Sequence, residues 1–243
     1  ETEEYNGSSW SEQNNLGTTR NELGGCGTQT AGLAFGGYTG SNTGDTEEYN
    51  GTSWSEQNNL DSARYGMASA GTQTAALASG GSNPSDLNRV EEYNGSSWSE
   101  QNDLSTGRFQ FGGAGTQTAA VVFGGDLDPG ITNVTEEYDG TSWTSSNNMN
   151  TAREGLSGSG LQTAAIALAG GPGSSLELKA ELYDGTSWTA TSELTQTGKQ
   201  GNAAGTSSPN SASIVFGGGV GNATTEEFTG ETLATTASTL TTS

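Results

Sequence analysis

An all-β fold, a ring of five four-stranded antiparallel blades, is what the sequence predicts, on three observations. The motif Glu-Glu-Tyr-Asn/Asp-Gly-Ser/Thr-Ser-Trp recurs at Glu3–Trp10, Glu47–Trp54, Glu91–Trp98, Glu136–Trp143 and Glu181–Trp188, 44 or 45 residues apart, with Leu182 replacing the second Glu in the last copy. Between copies, Gly-Thr-Gln-Thr-Ala leads into Gly-Gly at Gly27–Gly37, Gly71–Gly81 and Gly115–Gly125, with looser versions at Gly160–Gly171 and Gly205–Gly218. Finally, Gly and Asn-Gly cut each unit into runs of about five residues, the length of a strand and too short for a helix.

The unit that begins at Arg64 shows the elements in order. Tyr65–Ala70 predicts strand a and Ala75–Ser79 strand b, joined by the Gly-Thr-Gln-Thr turn. After a loop to Arg89, Val90–Tyr93 predicts strand c and Ser96–Gln101 strand d, with Asn94-Gly95 as a two-residue type I′ turn. Period-two alternation places Glu91 and Tyr93 on one face of strand c and Glu92 on the other. Because Leu182 stands where the other units have a second Glu, the first Glu is the fixed element. A cation recurs as well, at Arg20, Arg64, Arg108 and Arg153, with Lys199 in the fifth place. In a chain with only 7 Lys and Arg, this recurrence beside Glu47, Glu91, Glu136 and Glu181 predicts a structural ion pair in each unit. Small residues such as Ala75-Ala76 and Ala119-Ala120 suit strands crowded near the ring axis.

The ends leave two ways to close the ring. A worn sixth copy at Glu226–Leu233 has Phe228 for Tyr and Leu233 for Trp, whereas the first copy keeps Tyr5, Asn6, Gly7 and Trp10. The favoured expectation is that the N-terminal strands complete the last blade. Residues 1–222 are then the propeller, and 223–243 a degenerate half-repeat serving as tail or linker. Local closure by the C-terminal copy, with residues 1–16 belonging to a preceding unit, is the alternative.

A Gly-Gly pair, then Glu-x-Tyr-Asp/Asn-Gly, then Trp, then Met/Leu-x-Thr-Ala-Arg resembles the kelch repeat. Glu181-Leu182-Tyr183-Asp184 through Trp188 and Met149-Asn150-Thr151-Ala152-Arg153 carry it most clearly, and the similarity runs from Glu3 to about Phe228. The unit is shorter than a usual kelch repeat. Its Asn-Gly-Thr-Ser-Trp and Gly-Thr-Gln-Thr-Ala wording is similar to kelch-like repeats of marine bacteriophage virion proteins. That resemblance implies a phage tail or fibre module, with other virion proteins as partners.

Composition narrows the function. Hydrophobic residues are 29% and Gly numbers 39, which without the repeat would suggest disorder. The net charge of −21 disfavours nucleic acid and anionic membranes as partners, and no run approaches the roughly 20 apolar residues of a membrane span. A virion or extracellular location suits this charge. With no His, the Ser-His-Asp arrangement and the commonest metal ligand are absent. The Glu-Glu pairs repeat around the ring, unlike a catalytic pair. Cys26 stands alone. Asp126-Leu127-Asp128-Pro129-Gly130 clusters oxygen ligands, though a plain turn explains it more simply than calcium. A non-enzymatic protein with no cofactor and no metal is expected.

Differences between units mark the expected recognition surface. They fall in the b–c loops, Tyr38–Asp45, Ser82–Arg89, Asp126–Val134, Pro172–Lys179 and Gly219–Thr224, and just after each recurrent cation. Up-and-down strand order puts all of these on one face and both constant turns on the other. Tyr38, Tyr65, Arg89, Phe109, Phe111, Asp126 and Asp128 are the candidate ligand-facing residues, and a surface glycan or protein is the expected partner. The alternative is a secreted lectin-like propeller with one sugar site per blade.

Overall fold

The computed structural model describes residues 1–172, 178–195, 203–204, 212–216, 225–229 and 232–234. In chain order the strands are β1 (Thr2–Tyr5), β2 (Trp10–Gln13), β3 (Gly24–Thr28), β4 (Ala31–Phe35), β5 (Thr46–Tyr49), β6 (Trp54–Gln57), β7 (Ala68–Thr72), β8 (Ala75–Ser79), β9 (Val90–Tyr93), β10 (Trp98–Glu100) and β11 (Gly112–Thr116). They continue as β12 (Ala119–Phe123), β13 (Thr135–Tyr138), β14 (Trp143–Ser146), β15 (Ser157–Leu161), β16 (Ala164–Leu168), β17 (Ala180–Tyr183), β18 (Trp188–Ala190), β19 (Ala203–Ala204), β20 (Ala212–Phe216), β21 (Thr225–Thr229) and β22 (Thr232–Ala234).

Each blade is a four-stranded meander, β3–β6, β7–β10, β11–β14 and β15–β18. Four blades are therefore complete among the described residues, not five. A further sheet, β19–β22, has an innermost strand of only two residues, Ala203 and Ala204. Closure also differs from the expectation. β20 pairs with β21, and β21 with β22, so Thr225–Thr229 and Thr232–Ala234 are strands of a sheet. β1 and β2 pair only with each other. Joining β20 to β21 closes a short loop, whereas pairing with β1 spans most of the chain. The worn copy also keeps what a third strand needs, since Thr225, Glu226 and Phe228 are buried.

A buried ion pair anchors every complete blade. Arg20–Glu47 and Arg108–Glu136 meet at 2.8 Å and Arg153–Glu181 at 3.0 Å, and Arg64 pairs with Glu91. The second carboxylate oxygen accepts the backbone N–H of the residue entering the blade: Gly17 (2.7 Å), Asp61 (2.8 Å), Ser105 (2.9 Å) and Asn150 (2.7 Å). Glu226 plays the same part for Thr195 at 2.8 Å. Lys199, the expected fifth cation, lies outside the described residues. Arg64 also donates through Nε to the Gly80 carbonyl (2.8 Å) and through Nη2 to that of Ala78 (3.3 Å), tying strand b to strand c. Burial opposes the charge: it lowers Arg108 to about 10 despite the Glu136 carboxylate, and Arg64 in the same direction despite Glu91.

Neighbouring blades are joined by the aromatic residues. The Tyr and Trp of each outer hairpin face each other across the register at 4.8–5.1 Å between ring centroids. Each Tyr hydroxyl donates to the second Glu of the preceding hairpin: Tyr49 to Glu4 (2.9 Å), Tyr93 to Glu48 (3.1 Å), Tyr138 to Glu92 (3.1 Å) and Tyr183 to Glu137 (2.6 Å). The second Glu is thus structural too, and Leu182 has a physical reason. The residue facing it from the next hairpin is Phe228, which has no hydroxyl, and both lie in one apolar cluster. Indole Nε1 donates to a Thr of the preceding hairpin in the same way, Trp54 to Thr2, Trp98 to Thr46 and Trp188 to Thr135, all at 3.0 Å. The ring closes by the same rule, with Tyr5 on Glu227 (2.8 Å), Trp10 on Thr225 (3.0 Å) and the Trp10 ring edge-on to Phe216 (4.8 Å).

The outer turn corrects a second expectation. Tyr49 pairs with Trp54, so the connection is four residues long, Asn50-Gly51-Thr52-Ser53, and only Gly51 has positive φ (86°). Asn50 instead uses its side chain: Oδ1 accepts the N–H of Thr52 (3.0 Å) and of Ser53 (2.9 Å). Asp139 and Asp184 make the same two bonds, which explains the Asn/Asp exchange and lowers both carboxyls, chiefly through the N–H groups of Ser142 and Ser187. The inner turn has a steric demand. A Cβ on Gly71 (φ 108°) would lie 2.1 Å from the Ala75 carbonyl oxygen.

Two outcomes follow from these contacts. Arg64→Met leaves the Glu91 carboxylate buried without its cation and should lower unfolding free energy by about 3–5 kcal/mol in urea titration. Adding Glu91→Met should recover only part of this, because the bonds to the Gly80 and Ala78 carbonyls are lost as well. At one junction Val90 stands where Thr46 and Thr135 serve as acceptors, and the buried Trp143 Nε1 has no partner. Val90→Thr should therefore raise stability by about 1 kcal/mol, read from the urea midpoint.

Candidate functional site: the variable face

Strand a starts, b ends, c starts and d ends on one face of the disc. There the inner hairpins are extended by single bridges, Asn21 to Tyr38, Tyr65 to Ser82, Phe109 to Asp126 and Glu154 to Gly171. Reciprocal backbone bonds fix them, for example Tyr38 N–H to Asn21 O at 2.9 Å and Asp126 N–H to Phe109 O at 2.9 Å. Non-repeating side chains are in this way mounted on repeating backbone.

Three of the expected residues are brought together. Tyr38, Tyr65 and Phe109, from three successive blades, form a row of edge-on rings with centroids 5.7 Å and then 6.2 Å apart. Tyr38 is 42% exposed, the one exposed large hydrophobic among the described residues. Asp126, bridged to Phe109, continues the row into a carboxylate group. The Asp128 N–H donates to Asp86 Oδ2 at 2.8 Å, and the Asp126 carboxyl is raised, first by burial and then by the Asp86 charge. No group of three or more His, Cys, Asp or Glu among the described residues is arranged to hold a metal ion.

Two expected residues lie elsewhere. Phe111 is core: it is buried, packs on Gly80 and Gly125, and carries the Arg108 guanidinium over its ring at 5.2 Å. The register explains this, because Phe109 and Phe111 are two apart but Gln110 between them has φ 53°, which turns the chain inward. Arg89 is engaged by Glu100 of β10 at 2.9 Å, outside the aromatic row.

A collar of backbone bonds was not legible as a site. The Gly66 N–H donates to Glu22 O (2.9 Å), Gln110 N–H to Gly66 O (2.7 Å) and Gly155 N–H to Gln110 O (2.8 Å), linking four blades in succession. All four residues are left-handed, with φ of 51°, 65°, 53° and 61°. Gly accepts this freely, but Glu22 and Gln110 do not. Their side chains also meet, Gln110 Nε2 donating to Glu22 Oε2 at 3.3 Å. The available signal was Gly exchanging with Glu and Gln at one aligned position.

Among solved structures, that of YjhT is similar, with a TM-score of 0.69 at 14% identity, over 88% of this chain and 84% of that chain. The fold is a β-propeller. At this identity the likeness extends to the fold alone. No family model matches the chain, and no curated protein matches it.

In the pairs Glu47-Glu48, Glu91-Glu92 and Glu136-Glu137 the first Glu is bound to Arg on one face and the second to the Tyr of the next hairpin on the other. Burial pushes the Cys26 thiol up to about 12, so it stays protonated, and its Sγ lies against the Thr72 carbonyl oxygen at 3.4 Å.

Glu22 and Gln110 occupy positions that Gly fills in neighbouring units. Gln110→Gly should raise stability by about 1 kcal/mol in urea titration, since it relieves a left-handed side-chain residue and removes only an exposed polar bond.

Proposed function

We propose that this chain is a non-enzymatic, kelch-like binding module of a virion or extracellular surface, such as a phage tail or fibre, that recognises a host-surface glycan through its variable face. The row Tyr38–Tyr65–Phe109 running into Asp126 carries this reading. Flat aromatic faces pack on the C–H faces of sugar rings, and carboxylates accept hydroxyl hydrogen bonds at one end of the row. A net charge of −21 favours a neutral glycan over an acidic one.

The repeat supports a scaffold role for everything else. Both constant turns lie on the opposite face, and the recurring charges are used up in packing. A lectin with one sugar site per blade would repeat its contact residues, but the aligned positions are Asn21, Tyr65, Phe109 and Glu154. A single composite site spanning three blades fits better.

On an array of neutral glycans, the chain should bind a defined subset. Tyr65→Ala with Phe109→Ala should reduce that binding at least tenfold while leaving the unfolding free energy within about 2 kcal/mol of the parent. Undiminished binding by this pair, or by a chain with all its b–c loops exchanged, would remove the variable face as the recognition surface.

A further inference from the structure

Glu22 and Gln110 are the two collar residues that carry side chains, and those side chains meet across the blade between them. Gln110 Nε2 donates to Glu22 Oε2 at 3.3 Å although the two residues are 88 apart in the chain. Gly66 of the intervening blade leaves room for this contact. A Cβ there would lie 3.2 Å from Phe109 Cδ2 and 3.6 Å from Gln110 Cγ, so the Gln110 side chain and the Phe109 ring both lie against bare Gly66 backbone. Glu22 is exposed and Gln110 half-buried, and both stand on left-handed backbone, at φ 51° and 53°. One exposed polar bond does not offset the cost of two side-chain residues in that conformation. Gly66 and Gly155 hold the same backbone more easily, so what Glu22 and Gln110 add to the collar is their side chains.

The pair is an acceptor held beside a donor. With their mutual bond made, Glu22 keeps its second carboxylate oxygen, Oε1, and Gln110 keeps the second hydrogen on Nε2. Next to them lie the rings of Phe109 and Tyr65, 6.2 Å apart. Three ligand chemistries meet this arrangement differently. A cation satisfies Glu22 but confronts the amide hydrogen of Gln110. A peptide unit has one donor and one acceptor, but they point in opposite directions across its trans bond, so one unit cannot serve both side chains. Vicinal hydroxyls on a sugar ring sit side by side, and each can donate or accept. One then donates to Glu22 Oε1 while its neighbour accepts from Gln110 Nε2. The C–H face of the same ring packs on Phe109.

We propose that Glu22 and Gln110 form a polar subsite that reads a vicinal diol on a neutral sugar ring stacked against Phe109. This assignment rests on the glycan reading of the variable face and adds to it the hydroxyl pattern that the face selects. Affinity comes from the aromatic row, and choice among sugars comes from the carboxylate–amide pair. The mutual bond between the two side chains fixes their spacing before a ligand arrives, so little ordering is left for binding to impose. A sugar that lacks one of the two hydroxyls leaves a group of the pair facing it without a partner.

The test applies the 243-residue chain to an array of neutral glycans, then titrates it with a bound sugar and the monodeoxy analogues of that sugar. Glu22→Gly combined with Gln110→Gly should weaken binding about tenfold or more. The same double variant should keep or raise the urea midpoint, because Gly accepts left-handed backbone, so a folding defect cannot mimic the loss. Removing one hydroxyl of the diol should weaken the parent about tenfold and leave the affinity of the double-Gly variant unchanged, as coupling between those groups requires. The proposal is overturned if the double-Gly variant binds as tightly as the parent, or if every monodeoxy analogue loses affinity equally in both proteins. Loss of binding in Tyr65→Ala with Phe109→Ala, together with an unimpaired double-Gly variant, would overturn the subsite and leave the glycan reading standing. A parent chain that binds no neutral glycan, or only amine-bearing sugars or peptides, would overturn both.

Discussion

The buried pair between the Arg that opens each blade and the first Glu of its third strand is the constraint on which the rest of the structure depends. With hydrophobic residues at 29%, the blades have little apolar mass to define where one strand lies on the next. The pair supplies that definition. One carboxylate oxygen takes the guanidinium and the other takes an N–H of the incoming chain, while Arg64, for example, also binds carbonyls on strand b. A slip of one residue would turn the Glu to the opposite face and leave both charges buried alone. Burial works against the cation, as at Arg108, so the attraction to Glu136 is offset by the cost of taking both charges out of water.

The second level of order is the relay between blades, and it is built from pairs that change together. Where Tyr gives way to Phe228, the facing Glu gives way to Leu182. Where Thr gives way to Val90, the facing indole N–H is left without an acceptor, a flaw found at one junction among the described residues. These exchanges span two units, so no copy of the motif explains itself. Each explains its neighbour.

That is also why the sequence was legible in some respects and opaque in others. The period, the four strands of a unit and the Arg–Glu partners lie within one unit and show in its spacing. The role of the second Glu needed the next blade. The outer turn differs from the expectation because Asn-Gly and Asp-Gly have two uses: both residues at positive φ in a short turn, or Asn/Asp as a side-chain cap with Gly alone at positive φ, and nothing within the dipeptide chooses between them. Ring closure differs from the expectation because the short loop from β20 to β21 outweighs the Trp that the worn copy has lost. Phe111 looked like a companion of Phe109 until the left-handed Gln110 between them sent one ring outward and the other into the core.

The same left-handed position separates the repeating scaffold from the side chains that vary. Once the Arg–Glu pairs and the inter-blade bonds are satisfied, the strands leave their side chains almost no freedom. What remains free is the short segment after each Arg and the start of each b–c loop, and the collar holds the backbone of that segment still while its side chains differ. A residue such as Glu22 or Gln110, tolerated at positive φ where Gly would be easier, is hard to account for by packing, because neither side chain enters the core. Two blades of this ring keep a costlier residue there, and the rings of Tyr38, Tyr65 and Phe109 stand on the same face. The fold therefore concentrates its backbone strain and its exposed aromatic surface on one side, and that side is where its repeat breaks down.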